Sequence, residues 1–394
     1  MSEPNFNNFK YVDSDTFTFN IDGFDCSFAN AIRRIIISEV PTIGFRTEYG
    51  MESDIKIMKN TSALHNEFLA HRLSLIPVHY NYTKFDDFDP NKYEFIIQKK
   101  NTTNKTIDVT TQDIVVKDST KDPAIILSDK ATAELFPPDP ITKDYILINK
   151  LKPSKSSTVE GEELNISMRA TVGIGDEHAS FCPTCVSVFS NRRDEIKVEE
   201  AFKTLIINKN AERKGKTPLN ELEIKKERQS FEALDADRYF MVDETGEPNA
   251  FLFTIESDGR IPSHIILLNS LDIFKKNLMK FAQTVKDAEK VDIYNSDCIM
   301  NSFDVAIEDE DYTMGYLIQT YIYKLYKNNE NPVVNYIASN VPHPLESKLV
   351  FRIGMVEKTT KPEVIRDLIG NTCQYIMSEV TKLRIQVSNL KIKK

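Results

Sequence analysis

The sequence predicts an α+β chain: two related units, each a sheet with paired helices, disposed with pseudo-two-fold symmetry, and a β-rich domain inserted in the first copy. Three observations carry this. A strand followed by a capped helix occurs twice, 286 residues apart. A strand followed by a proline-started helix also occurs twice, in the same order but at another spacing. Asp25 and Pro262 are 237 residues apart whereas Asp311 and Pro362 are 51 apart, so the first copy holds 186 additional residues.

The first block opens with Phe17-Thr-Phe19-Asn-Ile21-Asp22 and Phe303-Asp-Val305-Ala-Ile307-Glu308. Both alternate apolar and polar side chains, the period of a half-buried strand. Asp25 or Ser27 then caps one helix, and Asp311 or Thr313 the other. Phe28, Ala31, Ile32, Ile35 and Ile36 form one apolar stripe. Met314, Leu317, Ile318, Tyr321 and Ile322 form its counterpart, which continues to Leu325 at helical spacing. These stripes are the expected core of an intrachain dimer, worth roughly 1.5–3 kcal/mol per buried side chain before entropy is subtracted.

The second block is Ala250-Phe251-Leu-Phe253-Thr-Ile255 and Lys348-Leu349-Val-Phe351-Arg-Ile353, each followed by a polar turn and a helix opening at Pro262 or Pro362. Proline suits that place because the first helical turn needs no backbone donor. One helix carries Leu267, Leu271, Phe274, Leu278, Phe281 and Val285; the other carries Ile365, Leu368, Ile369, Thr372, Ile376, Val380 and Leu383. Both spacings suit helix-on-helix packing.

Short strand patterns at Tyr93–Ile97, Thr106–Val109 and Tyr145–Ile148, with turns at Asp86–Pro90 and Pro137–Pro140, mark the inserted β-rich domain. The expected division is 1–52, first part of the first dimerisation unit; 53–170, the insert; 171–290, the rest of that unit; and 291–394, the second unit. Residues 191–240 are densely charged with mixed signs and predict an exposed helical excursion without an apolar face. Its alternative role is a basic nucleic-acid contact around Lys203–Lys226.

Composition narrows the function classes. The chain is 41% apolar with 38 Phe and Tyr residues and no Trp, which excludes bulk disorder. No apolar run approaches the roughly 20 residues of a membrane span, and the N-terminal sequence lacks signal architecture. Five cysteines, mostly far apart, read as a reduced intracellular protein. A net charge of −9 argues against wrapping nucleic acid with the whole surface, although it leaves room for a local basic patch. P-loop, G-x-G-x-x-G and nucleophile-elbow motifs are missing, and the six histidines show no i, i+4 ligand pairing. Asp309-Glu-Asp311 precedes a helix, where carboxylates are favourable in any case. Cys182-Pro-Thr-Cys185 is the one motif with evident chemistry. It reads as plain thiols, as half of a zinc site with His178, or as a redox pair if it opens a helix after a strand. Cys26, Cys298 and Cys373 stand alone in core-like patterns.

Asn30-Ala-Ile-Arg33-Arg34-Ile-Ile-Ile-Ser38-Glu39-Val-Pro41-Thr42 resembles the signature helix of the α-like subunits of multisubunit DNA-dependent RNA polymerases. Asn60-Thr-Ser-Ala-Leu with Glu67-Phe-Leu-Ala-His71-Arg72-Leu-Ser-Leu-Ile-Pro77 resembles the next family block. Gly173-Ile-Gly175-Asp-Glu177-His178-Ala179 with Pro183 is similar to a third, and Glu256-Ser-Asp-Gly259 to a fourth. Together they resemble the third-largest subunit of RNA polymerase II and its archaeal counterpart over about residues 10–290. Glu310-Asp-Tyr-Thr313-Met-Gly315-Tyr-Leu317 and Val341-Pro-His343-Pro344-Leu-Glu346-Ser-Lys348 resemble the eleventh subunit and its archaeal counterpart.

The resemblance implies both halves of the α-like heterodimer fused in one chain, a non-catalytic assembly subunit. Its implied partners are the largest and second-largest polymerase subunits and a small tenth-subunit-like protein, with nucleic acid contacted only indirectly, no membrane and no homo-oligomer. Arg33 and Arg34 are the implied contacts to the second-largest subunit; His71, Arg72, Glu177 and His178 are implied as docking residues or as supports for loops at that face. Fusion and Lys- and Asn-rich, Arg-poor usage suggest a large cytoplasmic DNA virus, with the host cytoplasm and virion as location, or the nucleus if cellular. Two departures matter. Between Cys26 and Cys182 there is no cysteine for the family's four-cysteine zinc motif, and Cys182 with Cys185 cannot supply four ligands for an iron–sulfur cluster. The expectation is therefore no metal and no cofactor. The competing readings are a CxxC thiol-disulfide oxidoreductase and a metal-stapled interaction protein.

Overall fold

The computed structural model describes residues 4–47, 53–80, 88–121, 123–154, 160–213, 217–287, 291–296, 301–328, 330–343, 345–357 and 361–390. Asp86, Asp87, Cys298 and Pro344 lie outside the described residues. In order, the chain forms β1 (Asn5–Tyr11), β2 (Thr16–Asp22), α1 (Cys26–Ser38), β3 (Thr42–Gly44), β4 (Ile55–Asn60), α2 (Asn66–Ser74), β5 (Tyr93–Lys100), β6 (Ile107–Thr110) and β7 (Ile114–Asp118). Next come β8 (Ile125–Ile126), α3 (Asp129–Leu135), β9 (Leu147–Leu151), β10 (Glu163–Met168), β11 (Thr171–Gly173), β12 (Thr184–Asn191), α4 (Glu195–Glu212) and α5 (Glu221–Leu234). The remainder is β13 (Ala250–Ser257), α6 (Ser263–Lys286), β14 (Val291–Asn295), β15 (Ser302–Glu308), α7 (Tyr312–Ile322), β16 (Val334–Asn340), β17 (Lys348–Met355) and α8 (Pro362–Ser388).

Two compact units result. The first comprises Met1–Ile36, Val186–Glu256 and Ser263–Lys394. It contains the sheets β1-β2-β13-β12 and β14-β15-β17-β16. In the former, Phe17 lies opposite Ile255, Phe19 opposite Phe253 and Ile21 opposite Phe251. All six are buried, as the period-two pattern requires. In the latter, Phe303, Val305 and Ile307 pair with Ile353, Phe351 and Leu349.

Helix α6 packs along α8, and α7 also packs on α8. The α6–α8 pair is antiparallel: Arg366 near the start of α8 donates to the Val291 carbonyl (3.0 Å) beyond the end of α6, while Arg384 near its end meets Asp272 (2.9 Å) in the first half of α6. Leu271, Phe274, Leu278, Phe281, Ile365, Leu368, Ile369 and Ile376 are buried. So are Phe28, Ala31, Ile32, Ile35, Ile36, Met314, Leu317, Ile318, Tyr321 and Ile322. Phe28 of α1 packs against Phe274 of α6 with ring centres 5.5 Å apart, and Phe281 of α6 meets Phe351 of β17 edge-on at 6.4 Å. The caps form as the sequence suggests: Asp25 accepts from the Phe28 amide (3.1 Å) and Asp311 from the Thr313 amide (2.7 Å). The buried stripe of α7 stops at Ile322. Tyr323–Lys327 form one wide π-type turn with no buried residue, so Leu325 does not extend it.

The charged excursion departs from expectation. It folds as the hairpin α4–α5 around a small apolar cluster of Val198, Phe202, Phe231 and Ala236, with the Arg228 guanidinium 4.8 Å from the centre of the Phe202 ring. The charges around it hide an apolar spacing of one residue per turn. Those charges bridge the two helices: Lys209–Glu227, Arg213–Glu223 (2.8 Å) and Arg228–Glu199, with Arg193 meeting Glu232 (3.0 Å). With so little apolar surface, the hairpin should depend on ionic strength. Raising salt from about 0.1 to 1 M cuts the screening length from about 10 to 3 Å. Hydrogen exchange in α4 and α5 should therefore accelerate relative to α6; equal protection at both salts would show that the apolar cluster holds the hairpin unaided.

The second unit comprises Ile37–Cys185 and Ser257–Pro262. Its main sheet has the antiparallel order β4-β10-β5-β7-β8, with smaller ladders β3-β11 and β6-β9. Leu69 and Leu73 of α2 join Phe95, Ile97, Val116, Phe136, Leu164 and Ile166 in its core. The unit takes in residues on both sides of the 53–170 span because Thr42–Gly44 pairs with Thr171–Gly173.

Candidate docking site

Within the second unit, the glycine-rich motif is shaped by close packing. A Cβ on Gly175 would fall 2.0 Å from the Ile37 carbonyl oxygen, and one on Gly173 would fall 2.7 Å from the Phe181 ring. Only glycine fits at either place. These contacts seat Phe181, which is buried, beside β3, where the Thr42 hydroxyl donates to the Phe181 carbonyl (2.7 Å).

Arg260 locks the same region. Its side chain is 6% exposed. Nε donates to Asp258 (2.5 Å), Nη1 to the Thr42 hydroxyl (3.1 Å) and the Ile43 carbonyl (3.4 Å), and Nη2 to the carbonyls of Ser180 (3.1 Å) and Cys182 (2.7 Å). All five guanidinium N–H groups thus have acceptors, which a lysine could not supply in that geometry. Sequence reasoning missed Arg260; its signal was only its place directly after Asp258-Gly259.

Beside this lock lies a cavity of about 280 Å³ lined by Phe45, Arg46, His71, His178, Ser180 and Phe181. His178 Nδ1 accepts from the Ser180 amide (3.1 Å), which fixes the ring in the cavity wall. Arg46 is ion-paired with Glu177, and its amide donates to Asp54 (2.8 Å). Burial pushes the Asp54 carboxyl up, against the lowering influence of Arg46. Two imidazoles, the Glu177-paired guanidinium of Arg46, a hydroxyl and two phenylalanine rings thus line one cavity. Of the residues implied by resemblance, His71 and His178 therefore share one cavity and Glu177 orients its arginine. Arg72 turns instead to the Ile148 (3.0 Å) and Leu147 (2.7 Å) carbonyls of β9, a structural tie.

His79 gives the unit a pH dependence. Burial lowers its pKa; Asp258 opposes the shift and Arg260 adds to it. The folded state holds the ring neutral, whereas the unfolded chain charges it near pH 6.5. The associated stability is complete above about pH 6.5 and is lost as pH falls from there toward the lowered folded value. A His79→Gln variant should flatten the stability–pH curve between about pH 7 and 5; an unchanged slope would assign it to another group.

In the first unit, Arg33 folds back on Asn30 (3.0 and 2.9 Å) and remains half-buried. Arg34 is not a free docking group: it pairs with Asp311 (2.9 Å), the cap of α7. Asp25, the cap of α1, in turn pairs with Lys324 (3.1 Å) beyond the end of α7. Helices α1 and α7 thus run antiparallel, each N-terminal carboxylate facing a cation in the later part of the other, the arrangement helix dipoles favour.

The CxxC motif does not support redox chemistry. Cys182 (φ −65°, ψ 125°) leads into strand β12 rather than opening a helix. Three nearly extended steps separate the two α-carbons by about 10 Å, beyond the roughly 7 Å a disulfide can bridge. The Cys182 thiol donates to the Thr184 carbonyl (3.3 Å), and Cys185 is exposed. His178 serves as a turn cap, and among the described residues no group of three His, Cys, Asp or Glu side chains is arranged to hold a metal ion.

Comparison with known proteins agrees with this architecture. The family model described as the RNA polymerase Rpb3/Rpb11 dimerisation domain matches residues 18–278, and a second model of the same description matches residues 302–386. Subunit 3B of DNA-directed RNA polymerases IV and V from Arabidopsis thaliana is 29% identical over 298 residues, covering 68% of this chain and 88% of the relative. Dictyostelium discoideum DNA-directed RNA polymerase II subunit rpb3 is 28% identical over 300 residues, covering 68% and 90%. The rpac1 subunit of RNA polymerases I and III from the same organism is 31% identical over 278 residues, covering 65% and 74%. The chain belongs to the Rpb3/Rpb11 dimerisation-domain family of RNA polymerase subunits and carries two such domains in tandem.

Proposed function

We propose that this chain is a non-catalytic assembly subunit of a DNA-dependent RNA polymerase, an α-like heterodimer made within one polypeptide that docks the two large catalytic subunits. The observation that carries this reading is the packing of α6 on α8, joined by the reciprocal Asp25–Lys324 and Arg34–Asp311 pairs between α1 and α7. Each contact joins a helix of the first family domain to the second domain or its flank. A covalent link holds such halves at about millimolar effective concentration, so the pairing needs little intrinsic affinity. Arg33, and the cavity formed with His71 and His178, are the docking points for the large subunits. A small tenth-subunit-like protein is a further partner. Fusion of both halves and the Arg-poor composition support a large cytoplasmic DNA virus as source, acting in the host cytoplasm and carried in the virion; a cellular version would act in the nucleus.

Co-expression tests this. A tagged chain should co-purify with the two large subunits at one-to-one stoichiometry, and Arg33→Glu should lower that capture at least about tenfold, as loss of a buried charge pair does, with an unchanged melting temperature. A folded chain that never captures either large subunit would sink the proposal.

A further inference from the structure

Among the described residues, the second unit has a sheet edge at β7 that no strand covers beyond Ser128, a feature separate from the assembly role. Strand β8 is only two residues long and pairs with β7 at Lys117–Ile126 and Asp118–Ile125, extended by the Leu127 amide donating to the Val116 carbonyl (2.9 Å). The chain then leaves the sheet at Ser128 to begin α3. Backbone groups alternate sides along a strand, so Ile114, two residues before Val116, also directs its carbonyl to that side. Its amide is already used by the Thr111 carbonyl. Beside this uncovered stretch runs a groove of about 450 Å³ whose walls include Thr111, Ile114, Ile126, Phe136 and Tyr145. Thr111 is 1% exposed, and its hydroxyl has no hydrogen-bond partner among the described residues. A buried unpaired hydroxyl costs about 1–3 kcal/mol, and native structures rarely leave one without a partner.

The groove also selects charge. Its charged lining groups are both carboxylates: Asp113, neutralised by Lys99 (2.7 Å), and Asp129 on the rim, exposed and without an ion-pair partner among the described residues. We propose that this groove binds an extended peptide segment of a partner protein, by strand addition along the Ile114 end of β7, with a basic side chain of that segment at Asp129. The Thr111 hydroxyl and the Ile114 carbonyl bond the peptide backbone, while Ile126 and Phe136 take the alternate apolar side chain. The short, exposed apolar edge at Ile125 and Ile126, 49% and 59% exposed, is the kind of strand edge that proteins otherwise protect with charge or proline.

The test uses the full chain and two labelled pentapeptides, Val-Arg-Val-Arg-Val and Val-Glu-Val-Glu-Val, followed by fluorescence anisotropy. The arginine peptide should bind saturably and about tenfold or more tighter than the glutamate peptide at low salt. It should shift the methyl resonances of Ile114 and Ile126 and spare those of Ile266 in the other unit. Asp129→Lys should weaken it about tenfold, and Thr111→Val about fivefold, while Thr111→Val leaves the free protein at least as stable. Equal binding of the two peptides, shifts outside the groove, no effect of either variant, or self-association of the chain at this edge in place of peptide binding would each overturn the proposal.

Discussion

Arg260→Ala should destabilise the second unit by about 3–5 kcal/mol, the range for removing one partner of a buried ion pair. The guanidinium is almost fully buried and meets five acceptors on three separate stretches of chain. Alanine would strand the Asp258 carboxylate, 19% exposed, and leave the carbonyls of Ser180 and Cys182 without this donor. Arg260→Lys should recover only part of the loss, because an ammonium cannot span that set of acceptors. The chain has no Trp, so urea unfolding is best followed by circular dichroism with hydrogen exchange to localise the effect. Faster exchange should be confined to β3, β11 and the turn at Phe181. An unchanged midpoint would mean that Gly173, Gly175 and the apolar core hold this region without the arginine. The cavity proposed for docking shares Phe181 and Ser180 with the lock, so on that proposal capture of the large subunits should fall with it.

Phe281→Ala should cost the first unit about 3–5 kcal/mol, as large-to-small changes at sealed aromatic positions do. Phe281 is fully buried in α6, three residues past the first family match, and meets Phe351 of β17 edge-on, so one side chain couples the helix that closes the first family domain to the second. The expected signature is loss of exchange protection in β15, β17, α6 and α8 together. If protection fell in α6 alone and β17 stayed protected, the two domains would not rely on one another and the intrachain pairing would be wrong. Lys324→Ala is a useful contrast: Asp25 is buried, but it keeps the hydrogen bonds from the Ser27 hydroxyl and the Phe28 amide, so losing the half-exposed lysine should cost only about 1–2 kcal/mol.

Much of this was legible in the chain because it rests on local periodicity. The strand alternation at Phe17–Ile21 and Phe303–Ile307, the caps Asp25 and Asp311, and the apolar stripes of α6 and α8 all report neighbours a few residues apart. What was not legible rests on distance. Arg260 looks like any arginine after a turn, since its acceptors at Thr42, Ser180 and Cys182 are brought to it only by the fold. Arg34 reads as a docking residue beside Arg33 until α7 lays Asp311 beside it. The α4–α5 hairpin concealed its apolar contacts behind mixed charges, and the β7 edge depends on where β8 ends, which Ile125-Ile126 alone does not declare. The glycines of the Gly173–Gly175 motif were visible, but their reason, contact with Ile37 and Phe181, was not.

The Phe6 amide donates to the Gln386 side chain (3.1 Å), a hydrogen bond between residues 380 positions apart. Strand β1 also packs on α8. The first unit therefore joins a strand at residues 5–11 to a helix at residues 362–388, and loop closure on that scale delays folding. During synthesis, β1 must wait for α8, whereas β2 and α1 wait for α6, against which they pack. The second unit needs nothing after Pro262. Order of completion thus runs from the inserted unit outward, and the vulnerable species in the cell is a chain whose insert is folded while Phe28 still lacks Phe274 of α6 and β1 still lacks α8.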